Sequence, residues 1–389
     1  MDHDAEPNPD EADRAPDRWI GRTIAGTFHI DALIGEGAMG RVYAGAHVER
    51  GERVALKLLH PHLGGDPRIA KRFHREAKAA SRLSHPSSLH IIDFGADADG
   101  TLFIAMELLE GEDLQTIIDH DAPLSPARIA ELMKQTLSAL EEAHRVGIIH
   151  RDLKPENVVV IREGDVERVK VCDFGIAKIV ESEGRSTAIT KDGYVCGTPE
   201  YMAPEQARGD EIDARADVYS AGVVLYQLLC GRVPFKAENA LGTITKHIME
   251  TPVPPRRVRP AWGIPRSLER IALTALAKRP NERFASARAM SQAIDEAMMA
   301  LGDAAEHRLG EGPFSAPADL HDEPEDDAPA EAASTHDVIA KVVAPDDRRW
   351  MYAAALGLVA LAGALVYSAT MRAPAPAIAA PAAPAPPAP

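Results

Sequence analysis

One tripeptide occurs twice in this chain, as Asp93-Phe94-Gly95 in HIIDFGAD and as Asp173-Phe174-Gly175 in KVCDFGIAK. An aspartate so placed can hold a metal ion over the phosphates of a nucleotide, because carboxylate oxygens are the hard donors that Mg²⁺ selects. It can equally close a strand with a turn, so the neighbours must decide. A second piece of phosphate chemistry stands upstream, where IGEGAMGRVYAG sets Gly35, Gly37 and Gly40 in a G-x-G-x-x-G-x-V pattern. Glycines let a backbone turn tightly and approach phosphate oxygens without a side chain in the way. Dinucleotide-binding folds share this pattern but begin a helix there. Here the chain continues as alternating strand, RVYAGAHV and then RVALKLL, with Lys57 set between Leu56 and Leu58.

The stretch IIHRDLKPENVVV, with His150 to Val160, decides between these readings. It matches the protein kinase catalytic loop H-R-D-L-x-x-x-N without a substitution. From about residue 28 to 298 the chain resembles the protein kinase superfamily, and its GEGAMGRVY loop, Ala-Pro tail and single C-terminal span resemble bacterial transmembrane serine/threonine kinases. The resemblance implies an ATP- and Mg²⁺-dependent phosphotransferase, with Mn²⁺ as a possible substitute. Asp152 would accept the substrate hydroxyl proton, Lys154 would offset charge on the transferring phosphoryl group, and Asn157 and Asp173 would bind the metal. Lys57 would hold phosphate and Glu76 would orient Lys57. Thr198 in GTPEYMAPE would bond near Asp152 and Lys154, a serine/threonine-type feature shared with the Lys-Pro-Glu filling of the catalytic loop.

The same resemblance assigns the nucleotide's surroundings. Ile34, Gly35, Glu36, Gly37, Ala38, Met39, Gly40, Arg41 and Val42 would cover the phosphates and, with Ala55 and Val159, the adenine. Backbone groups of Glu107 and Leu109 would pair with adenine, and Asp113 would meet the ribose. Asp217 corresponds to the buried aspartate that steadies the catalytic loop, and Arg283 to the arginine that pairs with Glu205. Asp173 follows Asp152 by twenty-one residues, beyond a hairpin of VVVI and VKVC around the REGD turn, which returns it to Asn157. Asp93-Phe94-Gly95 precedes the catalytic loop and reads as a strand end. Intact Lys57, Asp152, Asn157 and Asp173 favour an active enzyme over the alternative, a membrane-anchored pseudokinase scaffold.

The elements that must position these residues follow from periodicity. Strand-like alternation prevails to about Leu109 apart from one helical run, RIAKRFHREAKAASRL. Helical patterns follow, including SPARIAELMKQTLSALEEAHRVG, with Ser125 as N-cap ahead of Pro126. The expected fold is α+β and two-lobed: a small antiparallel-sheet lobe with one main helix, a larger helical lobe, and one C-terminal transmembrane helix.

Composition bounds the rest. The net charge of −16 is uneven: residues 1–19 and 303–349 contribute −5 and −9 of it. The middle is nearly neutral, which argues against a nucleic-acid surface, since phosphate neutralisation needs a net excess of clustered Lys and Arg. Three scattered cysteines, Cys172, Cys196 and Cys230, have neither metal-ligand nor disulfide spacing. Residues 1–26 read as a disordered acidic segment, 27–300 as the catalytic domain, 301–349 as an acidic Ala/Pro-rich linker and 372–389 as a Pro/Ala-rich tail. Between the last two, the twenty-two uncharged residues 350–371 would span roughly 33 Å as a helix, enough for a bilayer core of ~30 Å. Arg348 and Arg349 against Arg372 orient this span with the kinase domain in the cytoplasm and the tail outside an inner or plasma membrane. Protein substrates bearing Ser or Thr are the expected partners. Ser186, Thr187 and Thr190 are expected sites of autophosphorylation in trans, beside Arg151 as a phosphate dock.

Overall fold

Period-two alternation in RVALKLL puts Val54, Leu56 and Leu58 on one face of a strand and Ala55, Lys57 and Leu59 on the other. The computed structural model, which describes residues 17–37, 39–61, 67–164, 166–175, 198–307 and 309–310, follows this division. The chain divides into two units, 1–323 and 324–389, and all described residues belong to the first. Its amino-terminal lobe is an antiparallel sheet in the order β1 (Thr23–Ile24), β2 (Phe28–Gly37), β3 (Gly40–His47), β4 (Arg53–Leu59), β6 (Leu102–Glu107), β5 (Ile91–Ala96). Val54, Leu56 and Leu58 pack with Trp19, Phe28, Tyr43 and Phe103 on the outer face. On the other face Leu59, Ile91, Leu102 and Ile104 pack with Phe73 and Ala80 of helix α1 (Pro67–Ala80).

The second lobe begins after the strand β7 (Glu112–Asp113) with α2 (Leu114–Asp121) and α3 (Pro126–Arg145). Ser125 caps α3 by accepting the Arg128 N–H at 3.2 Å, with Pro126 at the first position, as its sequence requires. Hairpin β8 (Val158–Glu163) and β9 (Val166–Val171) follows, pairing Val158 with Val171. Then come α4 (Pro204–Arg208), α5 (Arg215–Cys230), α6 (Ala240–Met249), α7 (Pro255–Val258), α8 (Arg266–Ala275) and α9 (Ala287–Leu301). Every residue of α5 from Ala216 to Cys230 is buried, the signature of a helix surrounded by other elements. Gly222 allows this closeness, since a Cβ there would lie 2.6 Å from that of Ala275 on α8.

Two expected boundaries move. Residues 17–26, expected in the disordered segment, join the first lobe. Trp19 is buried between the guanidinium groups of Arg18 and Arg22, 4.6 and 5.0 Å from its ring, and Asp17 accepts the Tyr43 hydroxyl at 2.9 Å. At the other end, a 3₁₀ turn over Gly302–Glu306 and the fully buried Leu309 carry the fold past the expected limit at 300. Asp93-Phe94-Gly95 lies inside β5 rather than ending it, with Phe94 packed against the α1 layer. Among the described residues no helix is long and apolar enough to cross a membrane. The expected span at 350–371 lies outside them, as do residues 311–349 and 372–389, Ala38, Ser186, Thr187 and Thr190.

Burial also sets a pH dependence. His247 is fully enclosed against Tyr219 and Phe235, its Nδ1 meets the Tyr219 hydroxyl at 2.9 Å, and its Nε2 has no hydrogen-bond partner among the described residues. Desolvation, reinforced by the Lys278 charge, lowers its pKa to about 3. The unfolded chain therefore binds a proton below about pH 6.5 that the folded chain refuses, and stability falls as pH drops from there towards 3. Between pH 6.5 and 5.5 this group should remove about 1 kcal/mol. Denaturant midpoints at the two pH values should show that loss in the wild type and its absence in His247→Gln.

Candidate active site

A buried carboxylate organises the loop His150–Asn157. Asp217, on the enclosed helix α5, accepts the His150 N–H and His144 Nε2 with Oδ2 at 2.8 and 2.7 Å, and the Arg151 N–H with Oδ1 at 2.9 Å. Burial alone would raise its pKa, but these partners outweigh it and hold the carboxyl below the ordinary range. They also support strain, because Arg151 has φ of 68°, a left-handed conformation costly for a residue with a side chain. Gln206 adds a further tie by donating Nε2 to the Arg151 carbonyl at 2.8 Å.

The loop so held presents Asp152. Its Oδ1 accepts the Thr198 N–H at 3.2 Å and its Oδ2 lies 3.7 Å from Lys154 Nζ, which in turn donates to Thr198 Oγ1 at 2.8 Å. Asn157 donates Nδ2 to the Asp152 carbonyl at 2.8 Å. Hairpin β8–β9 then returns the chain so that the Cys172 N–H bonds the Asn157 carbonyl and the Cys172 carbonyl meets His150 Nε2, both at 2.8 Å. Cys172 is thus gripped on both sides, and Asp173 follows directly beside Asn157 with φ of 62°. The Phe174 ring packs 4.9 Å from that of His150. Of the two copies of the tripeptide, this is the one that lies against the loop His150–Asn157.

Across the cleft, Lys57 stands opposite Val42 on β3 and Ile104 on β6. Its Nζ donates to Asp173 Oδ2 at 2.8 Å. Burial works to raise the Asp173 pKa, and the Lys57 charge and hydrogen bond overcome it, with a net shift downward. The expected Lys57–Glu76 pair is not among the ion pairs of the described residues. Glu76 instead holds the adjacent Arg75 guanidinium at 2.9 Å, which satisfies its charge locally. Glu76 Oε2 still faces the cleft, 3.8 Å from where a Cβ on Gly175 would stand.

The glycine loop separates into two kinds of position. A Cβ on Gly40 would lie 2.0 Å from the Leu58 carbonyl oxygen, so packing against β4 demands this glycine. At Gly35 and Gly37 a Cβ would meet nothing closer than 4.0 Å, and neither has a positive φ. Protein packing does not require those two glycines, whereas a phosphate brought close to the backbone would. Glu36 and Arg41 pair across the hairpin at 3.0 Å and Arg41 also reaches Asp17 at 3.3 Å. Ile34 is exposed and Met39 packs against the α1 layer.

At the back of the cleft, Val42, Ala55 and Val159 occupy the strand positions expected of them, with Ala55 paired to Met106 and Val159 to Asp113. The Leu109 N–H has no hydrogen bond among the described residues and is free to donate. The Glu107 N–H is committed to His90 O at 3.0 Å, while its carboxylate Oε1 takes the His90 N–H and the Lys170 ammonium, each at 2.7 Å. Asp113 caps α2, accepting from the Thr116 N–H at 3.0 Å and its hydroxyl at 2.9 Å, so its expected ribose contact would share an occupied carboxylate. The carboxylate of Asp173 beside the amide of Asn157 is an oxygen donor set suited to Mg²⁺. With the open glycines and the free N–H of Leu109, the cleft fits a metal-bound nucleotide triphosphate.

His144, Gln206 and Lys170 escaped the sequence reading because each ties the site through bonds to residues distant in the chain.

The family described as "Protein kinase domain" matches residues 28–294. The chain is 50% identical over 284 residues to the serine/threonine-protein kinase pkn3 of Myxococcus xanthus, covering 72% of this chain and 52% of that protein. It is 41% identical over 274 residues to serine/threonine-protein kinase Pkn1 of the same organism, covering 70% of this chain and 38% of that protein. The chain thus spans about half or less of these relatives' length. Among solved structures it is similar to the Mycobacterium tuberculosis PknI kinase domain, with a TM-score of 0.56 and 30% identity, over 71% of this chain and 98% of that one.

Proposed function

The chain belongs to the protein kinase family, and on that premise we propose that it transfers the γ-phosphoryl group of ATP to serine and threonine hydroxyls of proteins. The observation that carries this reading is the triangle of Asp152, Lys154 and Thr198, closed by contacts of 3.7, 3.2 and 2.8 Å. In it a carboxylate is fixed to accept a proton while a cation stays beside it for the phosphoryl oxygens. The substrate oxygen forms its bond to the γ-phosphorus as the bond to the departing diphosphate breaks, and the hydroxyl proton passes to Asp152. Lys57 and the glycine loop bind and orient the triphosphate. Asn157 and Asp173 would hold Mg²⁺, which when bound neutralises phosphate charge. Thr198 orients Asp152 and Lys154 with respect to each other and marks the serine/threonine type.

Labelled ATP and a generic protein acceptor test the reading. Label is expected on phosphoserine and phosphothreonine and absent from phosphotyrosine. Nucleotide binding with no transfer in any metal tried would instead support a pseudokinase scaffold.

The proposal extends to anchorage and control. Residues 350–371 form a single membrane span, with the kinase domain on the cytoplasmic side, and Ser186, Thr187 or Thr190 accepts phosphate from a second copy of the chain. Support comes from the charge-free stretch itself and from the basic Arg151 next to Asp152. The 39 residues from 311 to 349, as a flexible linker, would reach roughly 35 Å, so tethered domains meet at high effective concentration. Autophosphorylation of those three residues, mapped by mass spectrometry, should slow on dilution once the span is removed and hold its rate in vesicles. Equal rates for both forms at low concentration would refute the tethering.

A further inference from the structure

Many arginines on the described chain have carboxylate partners, among them Arg41, Arg53, Arg128, Arg215 and Arg283, but one cluster does not. Arg232, Arg256, Arg257, Arg259, Arg266 and Arg270 form no ion pair with any acidic side chain among the described residues, and all but Arg256 are exposed. They occupy the stretch 231–275, which holds eight Lys and Arg against three acids in a chain whose net charge is −16. Structure gathers them at one end of the second lobe. The Arg259 guanidinium lies 5.3 Å from the Trp262 ring centroid and its Nε donates to the Cys230 carbonyl at 3.2 Å, beside Arg232. The Arg256 N–H bonds Glu269 Oε2 at 2.7 Å, which draws the start of α7 to the first turn of α8, where Arg266 stands and which Arg270 follows.

The described chain ends on this face. Leu309 is buried and donates its N–H to Leu124 O, and the Gly310 N–H bonds the Trp262 carbonyl at 2.7 Å. The next thirteen residues, 311–323, contain Glu311, Asp319, Asp322 and Glu323 and no Lys or Arg. Asp319 lies nine residues after Gly310, and an extended chain of that length reaches about 30 Å, enough to cross α7 and the start of α8. Opposite charges within reach of each other on one chain meet at high effective concentration, ahead of any external ligand.

We propose that residues 311–323 dock on the arginine face formed by α7, the turn at Trp262 and the start of α8, a contact within one chain that fixes the direction in which the polypeptide leaves the catalytic domain. It does not depend on phosphoryl transfer. Exposed pairs are individually weak and screened by salt, so the contact is a network effect that salt should dissolve.

A glutamate-specific endoprotease, cutting after Glu311 (the Glu323–Pro324 bond resists it), reads the contact in the full-length chain held in neutral detergent. At ~20 mM salt the wild type should be cut roughly fivefold more slowly than an Arg257→Ala/Arg259→Ala/Arg266→Ala variant, and the two should converge near ~0.5 M salt. A second variant, Asp319→Asn/Asp322→Asn, leaves the arginine face untouched and should be cut as fast as the triple variant, which separates loss of docking from loss of fold. Equal rates for wild type and the Asn variant at low salt would overturn the proposal. So would phosphatidylserine vesicles that bind the chain through these arginines while cleavage stays unchanged, because the face would then belong to lipid.

Discussion

Asp152→Asn is expected to lower the rate of phosphoryl transfer by about 10²–10⁴-fold, the usual share of a positioned general base. The replacement keeps an oxygen that can accept the Thr198 N–H, so the loop should hold its shape. What it removes is the proton acceptor and the negative charge 3.7 Å from Lys154 Nζ. Nucleotide affinity should change little, because the groups assigned to the triphosphate, Lys57, Asp173 and the glycine loop, lie on other elements. Initial rates at saturating ATP, beside a direct nucleotide-binding titration, separate the two effects. A variant within tenfold of the wild-type rate would remove Asp152 from the chemistry, and a parallel collapse in binding would mean the loop itself had moved.

The largest effect on stability should come from Arg283→Met. The guanidinium meets both oxygens of Glu205 at 2.7 Å, and its remaining donors are taken by the carbonyls of Ala277, Arg215 and Lys278. Both side chains are almost wholly enclosed, at 0% and 5% exposure, so solvent cannot take over when one partner leaves. Removing the cation strands the Glu205 carboxylate, at a cost of about 3–5 kcal/mol. For a domain of this size that is a fall of roughly 10 °C in Tm. A companion variant, Glu205→Met/Arg283→Met, should be more stable than Arg283→Met alone, since it leaves no orphaned charge. Thermal unfolding of the set decides it: a single variant within 1 kcal/mol of wild type would show that water or a neighbour replaces the pair.

Much of the site could be read from sequence because its residues sit in runs whose order the backbone preserves. His150 to Asn157 is one such run, and the hairpin that brings Asp173 beside Asn157 follows from two apolar strands around REGD. Where a residue has two partners available, sequence reading fails. Glu76 was expected to hold Lys57, but Arg75 is its neighbour in the chain and Asp173 takes the ammonium. Asp113 is both a residue at the cleft and the N-cap of α2, and only coordinates reveal the Thr116 bonds. Composition misled at the amino terminus. Averaged over residues 1–26 the acidic and Pro-rich character dominates, yet the single Trp19, clasped by two arginines, is enough to order the chain from Asp17. The three motif glycines look alike in sequence. Only the distance from Gly40 to the Leu58 carbonyl separates the one that packing needs from the two that face the cleft.

Helix α5 is enclosed on every side, and through Asp217 it carries the loop that bears Asp152. The placement of Asp152 is therefore inherited from a helix that packing holds on every side. Exposed surfaces around the cleft can diverge over evolutionary time, acquiring new recognition properties, without retuning the catalytic apparatus. Innovation in what such an enzyme modifies is decoupled from preservation of how it does so.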